Sequence, residues 1–215
     1  MGYLRALRPW GAVWASVFIL GCGIRAGAPS GQIILMMLVT GLITAAIMAN
    51  NDYVDRYHDI KKSKPFAAER EESFWLFVVI LWAIILAMIF VLAEYLTRSG
   101  LVVSLALIII GLSYSYARHI PFGSMFIVAI AAALPSFIFP LGKIGIIAFA
   151  SIFFTIMVRE LCKDAEDATI DVGYKKTFWT ITNIVPSSKV AVMGRLLANI
   201  PLIGIIAFII WGPQI

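Results

Sequence analysis

The sequence predicts an all-α integral membrane protein, a bundle of about seven transmembrane helices around a central cavity. Three observations carry that prediction. Of 215 residues, 61% are hydrophobic and only 13% are charged, about half the charged share of a soluble domain. A soluble chain of this size cannot hide so much apolar surface in one core. Near-continuous apolar runs recur at about the 20-residue length that crosses the hydrocarbon region as a helix. These runs are apolar all round. Barrel strands would be about 10 residues long and strictly alternating, so helices are the way to satisfy the backbone in lipid.

Taken in order, the spans fall at 10–27, 32–49, 74–96, 100–117, 122–141, 144–161 and 189–211. Arg5 and Arg8 before the first run imitate a secretory leader. The many spans that follow make it a retained first helix. Pro29-Ser30-Gly31, Arg98-Ser99-Gly100, Pro121 and Gly142-Lys143 punctuate the turns. Cys22 and Cys162 show no metal-ligand spacing and read as apolar filler. Residues 1–215 read as a single transmembrane domain.

Two long polar connectors, at 50–73 and 162–188, follow even-numbered spans and therefore share a side with the N-terminus. That side receives 14 of the 17 Lys and Arg residues; Arg25, Arg98 and Lys143 fall on the other. The excess of Lys and Arg on cytoplasmic loops places the N-terminus and both connectors in the cytoplasm of a multi-pass cell-membrane protein. The net charge of +5 is mostly this topology signal, and no nucleic-acid partner is needed to explain it.

The chemistry lies in those connectors. The first reads Asn50-Asn51-Asp52-Tyr53-Val54-Asp55-Arg56-Tyr57-His58-Asp59, with aspartates at relative positions 0, 3 and 7. In the second, Asp164, Asp167 and Asp171 repeat that spacing, preceded by Arg159, Glu160 and Lys163. On a helix those positions span roughly 60° of arc. Three carboxylates on one face repel one another and raise each other's pKa, so a cation is expected to neutralise them. Hard oxygen donors without His or Cys suit Mg²⁺ or Ca²⁺. A solvated helix end explains one such cluster but not two of identical spacing on one side. An ion-transport reading wants carboxylates near the midplane, where this chain has almost none. Lys61, Lys62, Lys64 and Arg70 follow the first motif, and Lys175 and Lys176 follow the second. They could contact diphosphate oxygens, with Arg8 and Arg118 as weaker candidates; topology alone accounts for many of them.

Asn51-Asp52-x-x-Asp55-x-x-x-Asp59 resembles the first aspartate-rich motif of the UbiA superfamily of intramembrane prenyltransferases. Lys163-Asp164-x-x-Asp167-x-x-x-Asp171 resembles the second. Lys64-Pro65-Phe66-Ala67-Ala68-Glu69-Arg70 resembles the family's Arg-Pro-containing segment, with Lys64 and Glu69 where Arg and Gly are common, and Arg8-Pro9 resembles the entry to its first helix. The resemblance runs the length of the chain. It implies Mg²⁺ held by Asp52, Asp55, Asp59, Asp164, Asp167 and Asp171. Asn51, Lys62, Lys64, Arg70, Lys175, Arg118 and Arg8 would meet the substrate diphosphate, and Asp55, Asp167 and Lys163 would be catalytic. The family usually has nine spans against the seven here, so one cavity wall is expected to face lipid or another subunit of a homo-oligomer.

The expected activity is Mg²⁺-dependent transfer of a polyprenyl group from an allylic polyprenyl diphosphate to a lipophilic acceptor in isoprenoid lipid biosynthesis. A prenylglycerol phosphate is slightly favoured over an aromatic quinone precursor as that acceptor. Phe153, Phe154, Tyr114 and Tyr116 are expected among the aromatic cavity walls. A terpene cyclase of the same superfamily and a non-enzymatic cation-binding membrane protein are the alternatives.

Overall fold

The computed structural model describes residues 2–62, 65–117, 119–171, 174, 176–182 and 188–212, apart from the side chains of Lys62, Ser115 and Ser188. Every regular element among them is helical. The order is α1 (Gly2–Ala6), α2 (Pro9–Arg25), α3 (Ser30–Val54), α4 (Arg56–Asp59), α5 (Phe66–Glu69), α6 (Glu71–Val91) and α7 (Arg98–Ala117). Then come α8 (Gly123–Ala133), α9 (Lys143–Asp167), α10 (Phe178–Thr182), α11 (Ser188–Leu197) and α12 (Ile200–Trp211).

Local chemistry sets the helix ends. Pro9 opens α2, where its fixed φ suits a helix and its missing N–H would have had no intrahelical partner. Gly142 precedes α9 at φ 56, a conformation open to glycine because it lacks a Cβ. Pro201, in the first turn of α12, lacks a donor N–H. The predicted span 189–211 is accordingly interrupted between Leu197 and Ile200.

Seven apolar helical segments occupy the predicted positions, with a difference in length. Ser30–Val54, Glu71–Val91, Lys143–Asp167 and the composite Lys189–Trp211 are long and apolar enough to cross a membrane, whereas Arg98–Tyr114 and Gly123–Phe137 are shorter. The first segment, α2, has 17 residues, which rise about 26 Å at 1.5 Å each. The structure also corrects the end of the sixth span. α9 continues to Asp167, so the second motif begins on a helix rather than in a connector. α11 packs along α9 there, with Gly194 against the Cys162 side chain.

Following packing neighbours round the molecule closes a ring: α3 lies on α2 and α7, α7 on α8, α8 on α9, α9 on α12, and α12 on α2. The 3-10 turn Leu134–Phe137 touches α2, α7, α8 and α9 and closes the end of the ring away from the motifs. Beside that turn, the Thr97 and Ser99 hydroxyls both donate to the Ile138 carbonyl, at 3.0 and 2.8 Å. Apolar burial gives little drive between helices already in lipid, so close packing carries the association. A Cβ on Gly23 would lie 2.6 Å from Ile33, and one on Gly111 would lie 2.4 Å from Ile47. The bare glycines thus let α2 and α7 approach α3. Ile19, Met36, Ile43, Ile85 and Phe139 lie in the buried core.

A second apolar cluster sits at the motif end. Ala6, Ala49, Ala67, Phe74 and Val78 are buried together. Tyr3 meets Phe66 edge-on at 5.1 Å and stacks on Phe74 at 5.9 Å, contacts worth about 0.5–1.5 kcal/mol each. These rings hold α1 and α5 against α3 and α6, beside the first motif.

Candidate active site

The first motif begins on the last turn of α3 with Asn51 and Asp52. The helix stops at Val54, Asp55 caps it at φ −84 and ψ 0, and α4 carries the chain to Asp59. The three aspartates therefore do not share one helix face. The bend at Asp55 separates them into two directions. Asp52 and Asp59 line a cavity of about 440 Å³ together with Arg5, Arg8, Phe66 and Glu69. Asp55 is buried and turns toward the second motif. Arg8 Nη2 lies 2.7 Å from Asp52 Oδ1.

Charges on the connector fix this bend. Arg56 donates to the Tyr53 carbonyl at 2.9 Å and to Glu71 Oε1 at 2.6 Å. The Tyr57 hydroxyl donates to the other Glu71 oxygen, a bond that holds this exposed phenol above its ordinary pKa range. Glu71 thus ties α4 to the start of α6.

The second motif spans the end of α9. Asp164 is buried, Asp167 is the last helical residue, and Asp171 lies in the turn beyond, its N–H donating to the Asp167 carbonyl at 2.9 Å. The helical arc expected from the spacing thus ends at Asp167. Glu160 is buried and receives Arg159 Nη1 at 2.7 Å and Lys163 Nζ at 3.1 Å, which sets Lys163 one turn before Asp167. The Trp179 indole donates to the Leu161 carbonyl at 2.8 Å and folds the following segment back on α9.

The two motifs meet. His58 Nε2 lies 2.7 Å from Asp171 Oδ1, and Asp171 is fully buried. The Tyr174 hydroxyl donates to Asp55 Oδ1 at 2.6 Å. The His58 and Tyr174 rings stack at 3.8 Å, 9° from parallel. Each motif thus supplies one carboxylate and one ring to a crossed brace. With Arg8 on Asp52, the N-terminal segment and both motifs lie at one end of the ring.

The fold has a counterpart of known structure. A UbiA homolog from Archaeoglobus fulgidus, solved bound to DMAPP and Mg²⁺, matches with a TM-score of 0.60 and 18% identity over 97% of this chain and 77% of that one. This chain has the UbiA-type fold. No protein-family model and no curated protein sequence matches it.

Within the UbiA-type fold, the structure draws together Arg8, Asp52 and Asp59 at the cavity, and Asp55 and Asp171 at the brace. Asp164, Asp167 and Lys163 lie on the last turns of α9. Arg70 stands at the start of α6 with its guanidinium 5.7 Å from the Phe66 ring. Lys64, Arg118 and Lys175 lie outside the described residues, as does the side chain of Lys62. Two of the expected aromatic walls are corrected: Tyr116 and Phe154 are 80% and 65% exposed, whereas Tyr114 is buried and Phe153 packs against the core. Residues two apart on a helix point about 200° apart, so Tyr114 and Tyr116 cannot share a wall.

Sequence reasoning missed His58, Tyr174, Glu160 and Arg5 as parts of this site. The available signal was His58 itself, the one imidazole inside an acid-rich motif.

Whether a divalent cation suits these residues turns on donor type and on polar groups left over. Among the described residues, no three His, Cys, Asp or Glu side chains converge as a ready-made cage. Mg²⁺ is usually bound through one or two carboxylates plus waters and substrate phosphates rather than by a protein cage. The donors here are all hard oxygens. Asn51 Oδ1 is buried without a hydrogen-bond partner among the described residues, a state costing about 1–3 kcal/mol. A hard cation within reach of this oxygen would satisfy it. The residues fit the group.

Proposed function

We propose that this chain is a membrane prenyltransferase of the UbiA superfamily. It would move a polyprenyl group from an allylic diphosphate to a lipophilic acceptor with the help of Mg²⁺. One observation carries the reading: the crossed brace joins two aspartate motifs of identical spacing at one end of a UbiA-type ring. The structural neighbour binds DMAPP and Mg²⁺, an allylic diphosphate and its usual counter-ion, which supports the same chemistry here.

Asp52, Asp55 and Asp59 from one motif and Asp164, Asp167 and Asp171 from the other would supply the carboxylates for Mg²⁺ ions held jointly with the substrate diphosphate and water, one or two to each ion. When bound, Mg²⁺ neutralises charge on the departing diphosphate. Lys163, positioned by Glu160, and Arg8 supply further positive charge where negative charge develops. Apolar helices exclude water while the allylic carbon loses its diphosphate and the acceptor nucleophile attacks it. The acceptor preference rests on the second motif, whose resemblance slightly favours a prenylglycerol phosphate over an aromatic quinone precursor. The 14 of 17 basic residues on the motif side support a cytoplasmic active site.

The test is incubation of purified protein with radiolabelled geranylgeranyl diphosphate, Mg²⁺ and a panel of phosphate-bearing and aromatic acceptors. Diphosphate release with a prenylated acceptor is the expected result, lost on chelation and restored by Mg²⁺. Full turnover in excess chelator would rule the mechanism out. A cyclic hydrocarbon in place of a prenylated acceptor would reassign the chain as a cyclase.

A further inference from the structure

We propose that His58 and Tyr174 are positioning residues that fix the two aspartate motifs relative to each other for binding a divalent cation and diphosphate. The inference rests on the prenyltransferase reading, which takes the brace only as the sign that the two motifs meet and gives its two rings no role in binding.

Neither ring belongs to an aspartate triad, yet each makes its short bond to an aspartate of the opposite motif. His58 follows Asp55 by three residues and bonds Asp171; Tyr174 follows Asp171 by three and bonds Asp55. The exchange is reciprocal, and the 3.8 Å stack between the rings locks the two bonds into one unit. His58 is 8% exposed and Asp171 is fully buried, so water competes little for the bond and one geometry is held.

The positions of the supporting helices give the brace its task. α3 packs on α2, α6 and α7, while α9 packs on α8, α11 and α12. The two motif-bearing helices thus belong to different sectors of the ring, and the brace links their ends directly. Each of its bonds uses Oδ1 of a carboxylate. A carboxylate has about four lone-pair sites, so hydrogen bonding and cation binding by the same group are compatible. Partners of this kind orient a ligand carboxylate, and removing one typically costs about 10–100-fold in metal affinity.

The experiment measures Mn²⁺ binding to purified full-length protein by electron paramagnetic resonance, with and without inorganic pyrophosphate. Wild type, Tyr174→Phe, His58→Ala and His58→Gln are compared at one pH, with prenyl transfer followed across Mg²⁺ concentrations. Tyr174→Phe keeps the stacked ring and removes only the hydroxyl, so it serves where His58→Ala fails to fold. The expected result is roughly tenfold weaker Mn²⁺ binding in Tyr174→Phe and His58→Ala. The Mg²⁺ needed for half-maximal rate should rise in parallel while kcat at saturating Mg²⁺ changes little. His58→Gln, whose amide can still donate to Asp171, should recover part of the affinity. Unchanged Mn²⁺ affinity in Tyr174→Phe, or kcat loss with no change in metal requirement, would overturn the positioning role and leave the prenyltransferase reading standing. Wild-type protein that binds neither Mn²⁺ nor Mn²⁺ with pyrophosphate would overturn both.

Discussion

Asp55 and Asp167 carry the sharpest functional expectation at the scale of single residues. Both stand at helix ends, Asp55 as the cap of α3 and Asp167 as the last residue of α9. If both serve one metal-diphosphate unit, losing either should remove most of the catalysis, and losing both should add little, because groups acting together are strongly non-additive. Asp55→Asn and Asp167→Asn keep the shape and lose the charge. Each is expected to lower turnover at least a hundredfold, about 2.7 kcal/mol on the barrier. The double variant should fall well short of the product. Strictly multiplicative losses in a single-turnover assay would assign the motifs separate roles. The carboxylates themselves were legible in the sequence because their spacing repeats. The directions they point were not. Helical arithmetic puts Asp52, Asp55 and Asp59 on one face, but it assumes an unbroken helix, and the bend at Asp55 sends Asp52 and Asp59 to the cavity and Asp55 to Tyr174. The partnership of His58 with Asp171 spans 113 residues, and no local pattern encodes a contact at that separation.

Among the helices, close approach at glycine decides which pairs can form. Gly111 on α7 faces Ile47 on α3, and a Cβ there would fall 2.4 Å from Ile47 Cγ1. Gly111→Val is expected to cost about 1–3 kcal/mol by overpacking, read as a lower melting temperature in detergent. Gly204 on α12 has nothing within 4 Å of its would-be Cβ. Gly204→Ala should leave the melting temperature unchanged or raise it, because alanine in a helix interior is favoured by roughly 0.5–1 kcal/mol. Equal losses in both variants would contradict the packing account. Helix positions were readable from apolar runs, and Pro29, Pro121 and Gly142 marked true boundaries. Helix ends were harder. α9 outruns its apolar segment to Asp167 because burial of Asp164 and Ala165, which hydropathy does not register, extends it. The break before α12 falls at Asn199-Ile200-Pro201, inside a stretch whose average hydropathy stays high enough to read as one span.

For the whole molecule, the first expectation is orientation. Lys61 and Lys176 are both exposed at the motif end, on the side that holds most of the basic residues. Lys61→Cys and Lys176→Cys should therefore react with an impermeant thiol reagent only after the cell membrane is opened. Labelling of either in intact cells would invert the assigned topology. The crossed brace has a further consequence for how the protein is made. His58 and Asp171 are separated by 113 residues, and Asp55 and Tyr174 by 119. In an unfolded chain, closing a loop of that length costs about 4 kcal/mol in entropy, which offsets most of what two hydrogen bonds to carboxylates of about 1.5–3 kcal/mol each return. The brace therefore gains little on its own and stabilises the site chiefly once the intervening helices have brought its ends together. During synthesis, α3 and α4 leave the ribosome long before α9, so the first motif waits without its cross-partners while α6 to α8 enter the membrane. The contact of highest sequence separation in the site thus marks the arrival of α9 beside α3, and cation affinity becomes a gauge of whether the two motif-bearing helices have come together.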